Sequence, residues 1–306
     1  MRAIILLLAL AIFTVSCRKD DDSNTETPKE RYKDDVFDNV EVNKNIQYGQ
    51  ALKYDQTDTE NLYLDLYQPE GDNAASRPLL ICVHGGAFQT GDKALDNWDD
   101  VCTAFAKKGY VAASINYRLL KDSGDVFEPA YRAQQDLRAA IRFARKNASA
   151  YKINTDKIFV MGGSAGGVTC LNVAYKNDAT DVPSSINQST WGNLEGNSGN
   201  PGFSSSVSGV VSLWGNITDT LTINNGDVPV GMMHSINDQT SPYYYENDPQ
   251  TGPTFGSFYI NKRAKNVGVK TDLYTYTYNG HGDGLYPPYL DNTINFSVNF
   301  LYPLVK

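Results

Sequence analysis

The chain has 306 residues, of which 41% are hydrophobic and 20% are charged, enough for one large domain with a buried core. Its formal net charge of −8, with no run of lysine and arginine beyond the N-terminus, argues against general binding of nucleic acids. Such acidity is typical of soluble proteins that anionic surfaces repel.

The first residues have the pattern of an export signal. A basic start is followed by an apolar run over residues 3–15, which is too short to span a bilayer. Residues 14–17 (Thr-Val-Ser-Cys) resemble a bacterial lipobox, and residues 18–22 resemble the charged export tag of Bacteroidetes surface lipoproteins. We therefore expect a lipoprotein signal peptide over residues 1–16 and lipidation at Cys17. That places the protein on the outer membrane or cell surface of a bacterium, with membrane contact only through the anchor. An ordinary cleaved signal followed by a charged linker is the alternative.

Residues 17–42 are charged and poor in apolar side chains, which predicts a tether ahead of a folded domain over residues 43–306. Apolar patterns within that domain alternate between periods typical of strands and of helices. The predicted strands cover residues 61–67, 79–83, 110–115, 157–161, 207–214, 228–233 and 272–276. The predicted helices cover residues 96–108, 129–147, a segment from Ser164 to Tyr175, and 288–301.

This alternation of strands and helices predicts an α/β fold with a mostly parallel sheet and helices on both faces. Residues 177–206 are rich in serine, asparagine and glycine, and we interpret them as a loop inserted into that fold.

Three cysteines remain in the folded part: Cys82, Cys102 and Cys170. Their spacing matches no zinc-binding pattern, and their apolar surroundings favour buried packing. We expect neither a structural disulfide nor a metal site.

The strongest motif for chemistry is the segment 162–166 (Gly-Gly-Ser-Ala-Gly). An apolar strand leads into it and a helix follows at once, so that Ser164 would stand on a sharp strand-to-helix turn. Such a turn exposes the serine hydroxyl, and flanking glycines let neighbouring backbone approach it. Ser164 is therefore the predicted nucleophile.

A second glycine motif follows the strand at residues 79–83. Attack on an ester creates an oxyanion, which backbone N–H groups of a glycine turn stabilise in a dry site. The amides of Gly85 and Gly86, together with that of Ala165, are the predicted oxyanion donors. His84 at the start of this turn is expected to be structural, and a plain turn is the alternative reading.

The chain has three histidines, which narrows the search for the general base. Where the nucleophile lies on such a turn, the triad follows the order Ser, acid, His along the chain. His84 precedes Ser164, and His234 ends a predicted strand. His281 lies in a glycine-flanked loop near the C-terminus, which suits a base placed above the serine.

The acid that orients the base should lie between the serine and the histidine in sequence. Asp238 follows the strand at residues 228–233 and is the predicted acid. Asp219, after the preceding strand, is the alternative, whereas Asp283 is too close to His281 along the chain.

These segments form a pattern made of His84-Gly85-Gly86-Ala87, Asn116-Tyr117-Arg118-Leu119, Gly162-Gly163-Ser164-Ala165-Gly166, Asp238 and Gly280-His281-Gly282. From about residue 45 to the end, the chain resembles the hormone-sensitive-lipase-like esterases of the α/β-hydrolase fold. Among these it is similar to bacterial enzymes that include feruloyl and acetylxylan esterases of Bacteroidetes. The resemblance implies ester hydrolysis through an acyl-serine with no metal or organic cofactor. Ala87 replaces the usual third glycine, and residues 119–120 stand where many relatives have Ala-Pro-Glu, departures that concern the size of the substrate and not the reaction.

Aromatic residues near the triad suggest how a substrate is bound. Tyr243 follows the predicted acid, Tyr286 follows the predicted base, and Trp191 lies in the inserted loop. Flat rings at these positions would stack on sugar rings or a feruloyl group, although half-packed surface tyrosines are an equal alternative.

We therefore expect a serine carboxylesterase acting on a small-molecule or polysaccharide ester, with acetyl or feruloyl esters of plant polysaccharides as the leading substrates. A lipid or short-chain acyl esterase and a prolyl-oligopeptidase-like exopeptidase are the alternatives. A non-catalytic binding lipoprotein is disfavoured, because all three triad residues are present.

Overall fold

The computed structural model describes residues 28–120, 127–248, 252–278 and 280–306. The predicted signal peptide at residues 1–16 and the predicted lipidation site Cys17 lie outside these ranges. No helix in the described ranges is long and apolar enough to cross a membrane.

Within these ranges eight strands form one sheet, in the order β1-β2-β4-β3-β5-β6-β7-β10, and β8 pairs with β9 in a separate hairpin. The strand β2 pairs antiparallel with β1 and with β4, and all other pairs in the large sheet are parallel. The central strand β3 is buried along its whole length, as its continuous apolar sequence requires. The strands are β1 Val40–Leu52, β2 Thr59–Pro69, β3 Arg77–Val83, β4 Val111–Ile115, β5 Ile153–Gly163, β6 Gly209–Leu213, β7 Val230–Ser235, β8 Tyr245–Asp248, β9 Gly252–Phe255 and β10 Thr271–Tyr276.

Helices cover both faces of the sheet, and each face has its own hydrophobic core. The helices α2, α4 and α6 contribute to one core, and α1 and α7 contribute to the other. The predicted α/β-hydrolase fold is thereby confirmed. The helices are α1 Trp98–Lys107, α2 Phe127–Lys146, α3 Ala148–Tyr151, α4 Ala165–Tyr175, α5 Gln188–Trp191, α6 Ser257–Asn266 and α7 Leu290–Val305, with short 3₁₀ turns at Ala179–Asp181, Thr220–Thr222 and Asp283–Leu285.

The packed part of the chain begins before the predicted domain boundary at residue 43. Arg31 donates two hydrogen bonds to the carboxylate of Asp72, at 3.0 and 2.5 Å. The amide of Tyr32 donates to the carbonyl of Lys108 at 2.7 Å, and its ring packs edge-on against Tyr110. The folded part thus begins within the predicted tether at residues 17–42. Contacts of Arg31 and Tyr32 attach this segment to the domain, although it has few apolar side chains.

The inserted loop at residues 177–206 is fastened to α2 by polar contacts. Arg138 and Arg142 both pair with Glu195, at 3.1 and 2.7 Å. The hydroxyl of Ser198 donates to the buried carboxylate of Asp136 at 2.6 Å. The loop therefore forms a fixed wall beside α2.

The same carboxylate anchors the Asn-Tyr-Arg segment that follows β4. Asp136 accepts from the backbone amide of Arg118 at 2.9 Å, and the guanidinium approaches it to 2.8 Å. All three cysteines of the folded part, Cys82, Cys102 and Cys170, are buried free thiols. Burial raises the pKa of the Cys170 thiol well above its usual value.

Candidate active site

The carboxyl ends of the parallel strands place the predicted site residues at one edge of the sheet. Ser164 follows β5 directly, Asp238 follows β7, and His281 lies in the loop after β10. The neighbouring strand β3 brings the His-Gly-Gly turn to the same edge, beside the serine.

Ser164 stands on a strained turn between β5 and α4. Its backbone has φ 53° and ψ −121°, a conformation that residues with a side chain rarely adopt. The flanking glycines are required by close backbone contact. A Cβ on Gly166 would lie 2.1 Å from the carbonyl oxygen of Val83, and one on Gly162 would lie 2.3 Å from Gly166.

The predicted base and acid are in hydrogen-bonding contact with the serine. Nε2 of His281 lies 2.7 Å from Oγ of Ser164, and Nδ1 of His281 lies 2.8 Å from Oδ2 of Asp238. An ionised carboxylate only accepts hydrogen bonds, so the proton of the neutral imidazole is on Nδ1. Nε2 is then free to accept the proton of the serine hydroxyl.

Asp238 is held by donors from several directions. Its Oδ1 accepts the backbone amides of Thr240 and Ser241, at 2.8 and 2.9 Å. Its Oδ2 faces His281 and also Nε2 of buried His234, at 3.3 Å. Burial alone would raise the pKa of Asp238, but these hydrogen bonds, those from His234 and His281 first, hold it well below its ordinary value. The acid therefore stays ionised while the imidazole takes up a proton.

Asp219, the alternative acid, has a different role. Its side chain accepts the backbone amide of Leu221 at 2.8 Å and caps a 3₁₀ turn. The imidazole of His281 is oriented by Asp238 instead. Beside it, the ring of Trp214 packs edge-on against His281, with ring centroids 6.3 Å apart.

The predicted oxyanion donors lie against the nucleophile. A Cβ on Gly85 would lie 3.2 Å from Cβ of Ser164, so the two turns are in contact. Gly86 has φ 103°, a conformation that favours glycine. In the described ranges, the amides of Gly85, Gly86 and Ala165 donate no hydrogen bond within the protein, which leaves them available to a ligand oxygen.

The shape of this turn is fixed by His84 and Tyr117. Nδ1 of His84 lies 2.7 Å from the carbonyl oxygen of Gly85, and its ring stacks on that of Tyr117. The hydroxyl of Tyr117 contacts the carbonyl oxygens of His84 and Gly85, at 3.0 and 3.1 Å. His84 is structural, as expected, and its burial lowers the pKa of the imidazole.

A cavity of about 480 Å³ opens from the nucleophile. It runs between α2, α4, the inserted loop and the segment that follows Asp238. Its lining combines apolar and polar side chains. The lining residues are Ala87, Phe88, Phe127, Ala130, Tyr131, Gln134, Ser164, Ala165, Val168, Asn172, Lys176, Asp181, Pro183, Leu194, Asn216, Thr218, Gln239, Thr240, Ser241, Pro242, Glu246 and Thr254.

The three aromatic residues predicted to bind substrate do not line this cavity, and their role in binding stays a prediction. Tyr243 points inward, edge-on to the ring of His234, with its hydroxyl 2.8 Å from that of Thr275. Trp191, within the inserted loop, is buried with its ring 4.6 Å from the guanidinium of Arg132. Tyr286 is 46% exposed, outside the cavity. Proximity in sequence to the triad does not fix the direction in which each side chain points.

Sequence reasoning missed three polar residues of the cavity: Gln134 on α2, Asn172 on α4, and Lys176, which caps the C-terminus of α4. A signal for two of them existed. Val168 and Asn172 follow Ser164 at intervals of four, which places them on the side of α4 that continues from the serine, and Lys176 follows at the same interval as the C-cap.

A serine, a histidine and an aspartate in hydrogen-bonded series at the carboxyl edge of this sheet define the chain as an α/β-hydrolase-fold protein. The sequence model of the BD-FAE family matches residues 64–251, and the chain belongs to this family. Among the described residues, no group of three or more histidine, cysteine or acidic side chains is placed to hold a metal ion.

Individual relatives agree with this class. The chain is 32% identical over 115 residues to venom carboxylesterase-6 of Apis mellifera, a match that covers 35% of this chain and 20% of that protein. It therefore spans about a fifth of that relative's length. The native esterase 2 of the Planctomycetes species Thermogutta terrifontis superimposes with a TM-score of 0.64 at 19% identity, covering 90% of this chain and 96% of the other. A truncated carbohydrate esterase from gut microbiota gives a TM-score of 0.63 at 20% identity, covering 90% and 100%.

Proposed function

We propose that the chain is a serine carboxylesterase that hydrolyses carboxylic esters through an acyl-Ser164 intermediate. The observation that carries the proposal is the series of contacts from Asp238 through His281 to Ser164, at 2.8 and 2.7 Å. Membership of the BD-FAE family and a relative named a carboxylesterase both support it.

In the acylation step, Nε2 of His281 takes the hydroxyl proton as Oγ of Ser164 bonds to the ester carbonyl carbon. The carbonyl oxygen becomes an oxyanion and accepts hydrogen bonds from the free amides of Gly85, Gly86 and Ala165. When the tetrahedral intermediate collapses, the bond to the alcohol oxygen breaks, and His281 returns its proton to that oxygen. The alcohol leaves and the acyl-serine remains.

In the second half of the reaction a water molecule replaces the alcohol. His281 accepts a proton from the water as its oxygen attacks the acyl carbon, and the bond to Oγ breaks. The proton then goes to Oγ, which restores Ser164 and releases the carboxylic acid. Asp238 remains ionised throughout and stabilises the imidazolium.

The proposed substrates are acetyl or feruloyl esters of plant polysaccharides. Membership of the BD-FAE family and a structural neighbour described as a carbohydrate esterase from gut microbiota support this. The cavity agrees with it chemically, because polar side chains such as Gln134 and Asn172 are part of its lining, whereas a long alkyl chain would need apolar walls throughout.

The test compares the full chain with Ser164→Ala on p-nitrophenyl acetate, butyrate and palmitate and on methyl ferulate. The expected result is hydrolysis of acetate or ferulate and loss of activity in the variant. A wild-type chain no faster than Ser164→Ala on every ester would refute the esterase proposal. A preference for palmitate would refute the polysaccharide-ester substrate.

The proposed location is outside the cytoplasm, anchored through lipid on Cys17. It is supported by the apolar run and the lipobox-like end of residues 1–17. Cells fed labelled palmitate should incorporate label into the wild-type chain and none into Cys17→Ala. Label that persists in the variant contradicts the anchor.

A further inference from the structure

A second cavity lies beside the one that opens from the nucleophile. Its volume is about 570 Å³, which is large enough for a small-molecule ligand. Gln134 lines the first cavity and Arg138 lines the second, one turn farther along α2, a rise of about 6 Å. In the inserted loop, Leu194 lines the first cavity and Glu195 the second. The two cavities are therefore neighbours between α2 and the inserted loop, and no triad residue lines the second.

Two buried guanidinium groups of the second cavity share one carboxylate. Arg138 and Arg142 are 3% and 4% exposed. Oε1 of Glu195 accepts from Nη1 of Arg138 at 3.1 Å, and its Oε2 accepts from Nη1 of Arg142 at 2.7 Å. The hydroxyl of Ser205 donates to the same Oε1 at 2.7 Å. With two cations and one carboxylate among its lining residues, the cavity keeps one positive charge without a partner.

The surroundings do not remove this positive charge. Burial lowers the pKa of both Arg138 and Arg142, although the carboxylate of Glu195 acts in the opposite direction. A third cation of α2, Arg145, donates to the carbonyl oxygen of Ser204, a lining residue, at 3.0 Å. The whole chain carries a formal charge of −8, so this cavity is a local exception that attracts an anionic group.

Both guanidinium groups keep N–H donors that the protein does not use. Nε of Arg138 is buried and has no hydrogen-bond partner in the described part of the chain. Arg142 donates through Nε to the carbonyl oxygen of Gly199 at 3.0 Å and through Nη1 to Glu195, whereas its Nη2 donates to no group in the described ranges. A guanidinium is a fork of five donors that matches a carboxylate, so a second carboxylate has donors available here.

The rest of the lining fits a ring that carries hydroxyl groups. The side chain of Phe203 is 42% exposed and forms part of the wall, where its flat face can stack on a sugar ring. Asn177, Asn197 and Ser206 also line the cavity, and their side chains both donate and accept hydrogen bonds. An inorganic anion is much smaller than this cavity and has no face to place on the phenyl ring. The lining therefore favours an anionic sugar.

We propose that the second cavity binds a uronic acid, with its carboxylate at the free donors of Arg138 and Arg142 and its ring against Phe203. The inference rests on the proposed function, since the uronic acid belongs to the polysaccharide that carries the ester. The two neighbouring cavities then hold two parts of one polymer. What this adds is a preference for acidic polysaccharides, set by a site that takes no part in the chemistry at Ser164.

The test measures binding apart from hydrolysis. Methyl β-D-glucuronoside and methyl β-D-glucoside differ by a carboxylate in place of a hydroxymethyl group, and saturation-transfer NMR titrations with the full Ser164→Ala chain give their dissociation constants. The glucuronoside should bind at least about tenfold more tightly, because hydrogen bonds from a guanidinium to a carboxylate are stronger than those to a hydroxyl. Its affinity should fall as sodium chloride is added.

Two substitutions locate the binding site. Asn197→Asp adds a carboxylate to an exposed side chain of the lining and should weaken glucuronoside binding by about tenfold or more. Asn187→Asp is the matched control in the same loop. Asn187 lies outside the cavity and accepts the amide of Ser189 at 3.0 Å, a capping role that aspartate fills equally well, so the affinity should not change. Arg142→Lys keeps a cation for Glu195 but removes Nη2, and it should also weaken binding.

Each contrary result has a separate meaning. Equal affinity for the two glycosides, or binding of neither, refutes the uronic acid site and leaves the esterase proposal standing. Inorganic sulfate that binds more tightly than the glucuronoside shows a site for charge alone and overturns the assignment to a sugar. Unchanged affinity in both Asn197→Asp and Arg142→Lys overturns the location. Selective binding of the glucuronoside by a wild-type chain that hydrolyses p-nitrophenyl acetate no faster than Ser164→Ala supports the site and refutes the esterase proposal.

Discussion

Replacing Asp238 by asparagine exchanges one carboxylate oxygen, which accepts a hydrogen bond, for an amide nitrogen, which donates one. Oδ1 accepts backbone amides from Thr240 and Ser241, so the amide oxygen of the asparagine must take that position. Its NH₂ group then occupies the position of Oδ2, 2.8 Å from Nδ1 of His281. Nδ1 can only accept from this group, so the proton of the imidazole moves to Nε2, where it faces Ser164 and blocks transfer of the serine proton.

The expected loss of kcat follows from the change in the tautomer of His281 alone. The same exchange in a serine protease triad lowers kcat about 10⁴-fold with the geometry intact, which corresponds to about 5.4 kcal/mol of transition-state stabilisation. The second donor near Oδ2, Nε2 of His234 at 3.3 Å, adds a donor–donor conflict to Asp238→Asn. We therefore expect at least that reduction in kcat, with KM little changed because the cavity is untouched.

The assay is steady-state hydrolysis of p-nitrophenyl acetate at pH 7 by the full chain, with folding checked by circular dichroism. Asp219→Asn is the matched control. Asparagine caps a turn as well as aspartate does, so its activity should stay within about twofold of wild type. A folded Asp238→Asn chain that retained more than a tenth of wild-type kcat would contradict the assignment of the acid. A large loss in Asp219→Asn would contradict it equally.

Three further changes test the fold around the site. Arg118→Leu leaves the buried carboxylate of Asp136 without its cation and should lower the free energy of unfolding in urea by about 3–5 kcal/mol. Adding Asp136→Leu should restore that free energy. A decrease below about 1 kcal/mol would argue against a stabilising ion pair. Gly166→Ala places a methyl group 2.1 Å from the carbonyl oxygen of Val83, so the serine must move and kcat should fall about 100-fold. An alanine variant with wild-type kcat would show that the turn is not constrained. Because the pKa of Asp238 is lowered by folding, its ionisation stabilises the protein above about pH 4 and that contribution is lost as the pH falls further. The urea midpoint should therefore fall more steeply on acidification in the wild type than in Asp238→Asn, and parallel curves would refute the linkage.

The candidate catalytic residues could be predicted from the sequence because their proposed chemistry imposes local patterns. The turn at Ser164 requires glycines at positions where a Cβ would lie within 2.3 Å of neighbouring backbone. Such a turn can be recognised from the sequence. With three histidines in the chain, the choice of base was also narrow. The fold could be predicted from apolar strands such as β3. A strand buried on both faces of a sheet has an uninterrupted hydrophobic run in its sequence.

The elements that sequence reasoning missed lack such patterns. The strand β1 is largely exposed and mostly polar, so its sequence shows no regular alternation. The hairpin of β8 and β9 is short and lies outside the large sheet. The helix α6 buries only three of its residues. The cavity was missed for a different reason, since α2, α4 and the inserted loop supply its walls from distant parts of the chain.

The attachment of the inserted loop has a consequence for how enzymes of this kind diversify. Residues 177–206 are held mainly by side chains of α2, among them Arg138 and Arg142, and they contribute Asp181, Pro183 and Leu194 to the cavity. None of these contacts includes Ser164, Asp238 or His281. The loop can therefore be replaced without altering the triad. A loop of another sequence that keeps a partner for the two arginines would change the substrate selectivity and leave the three triad residues in place.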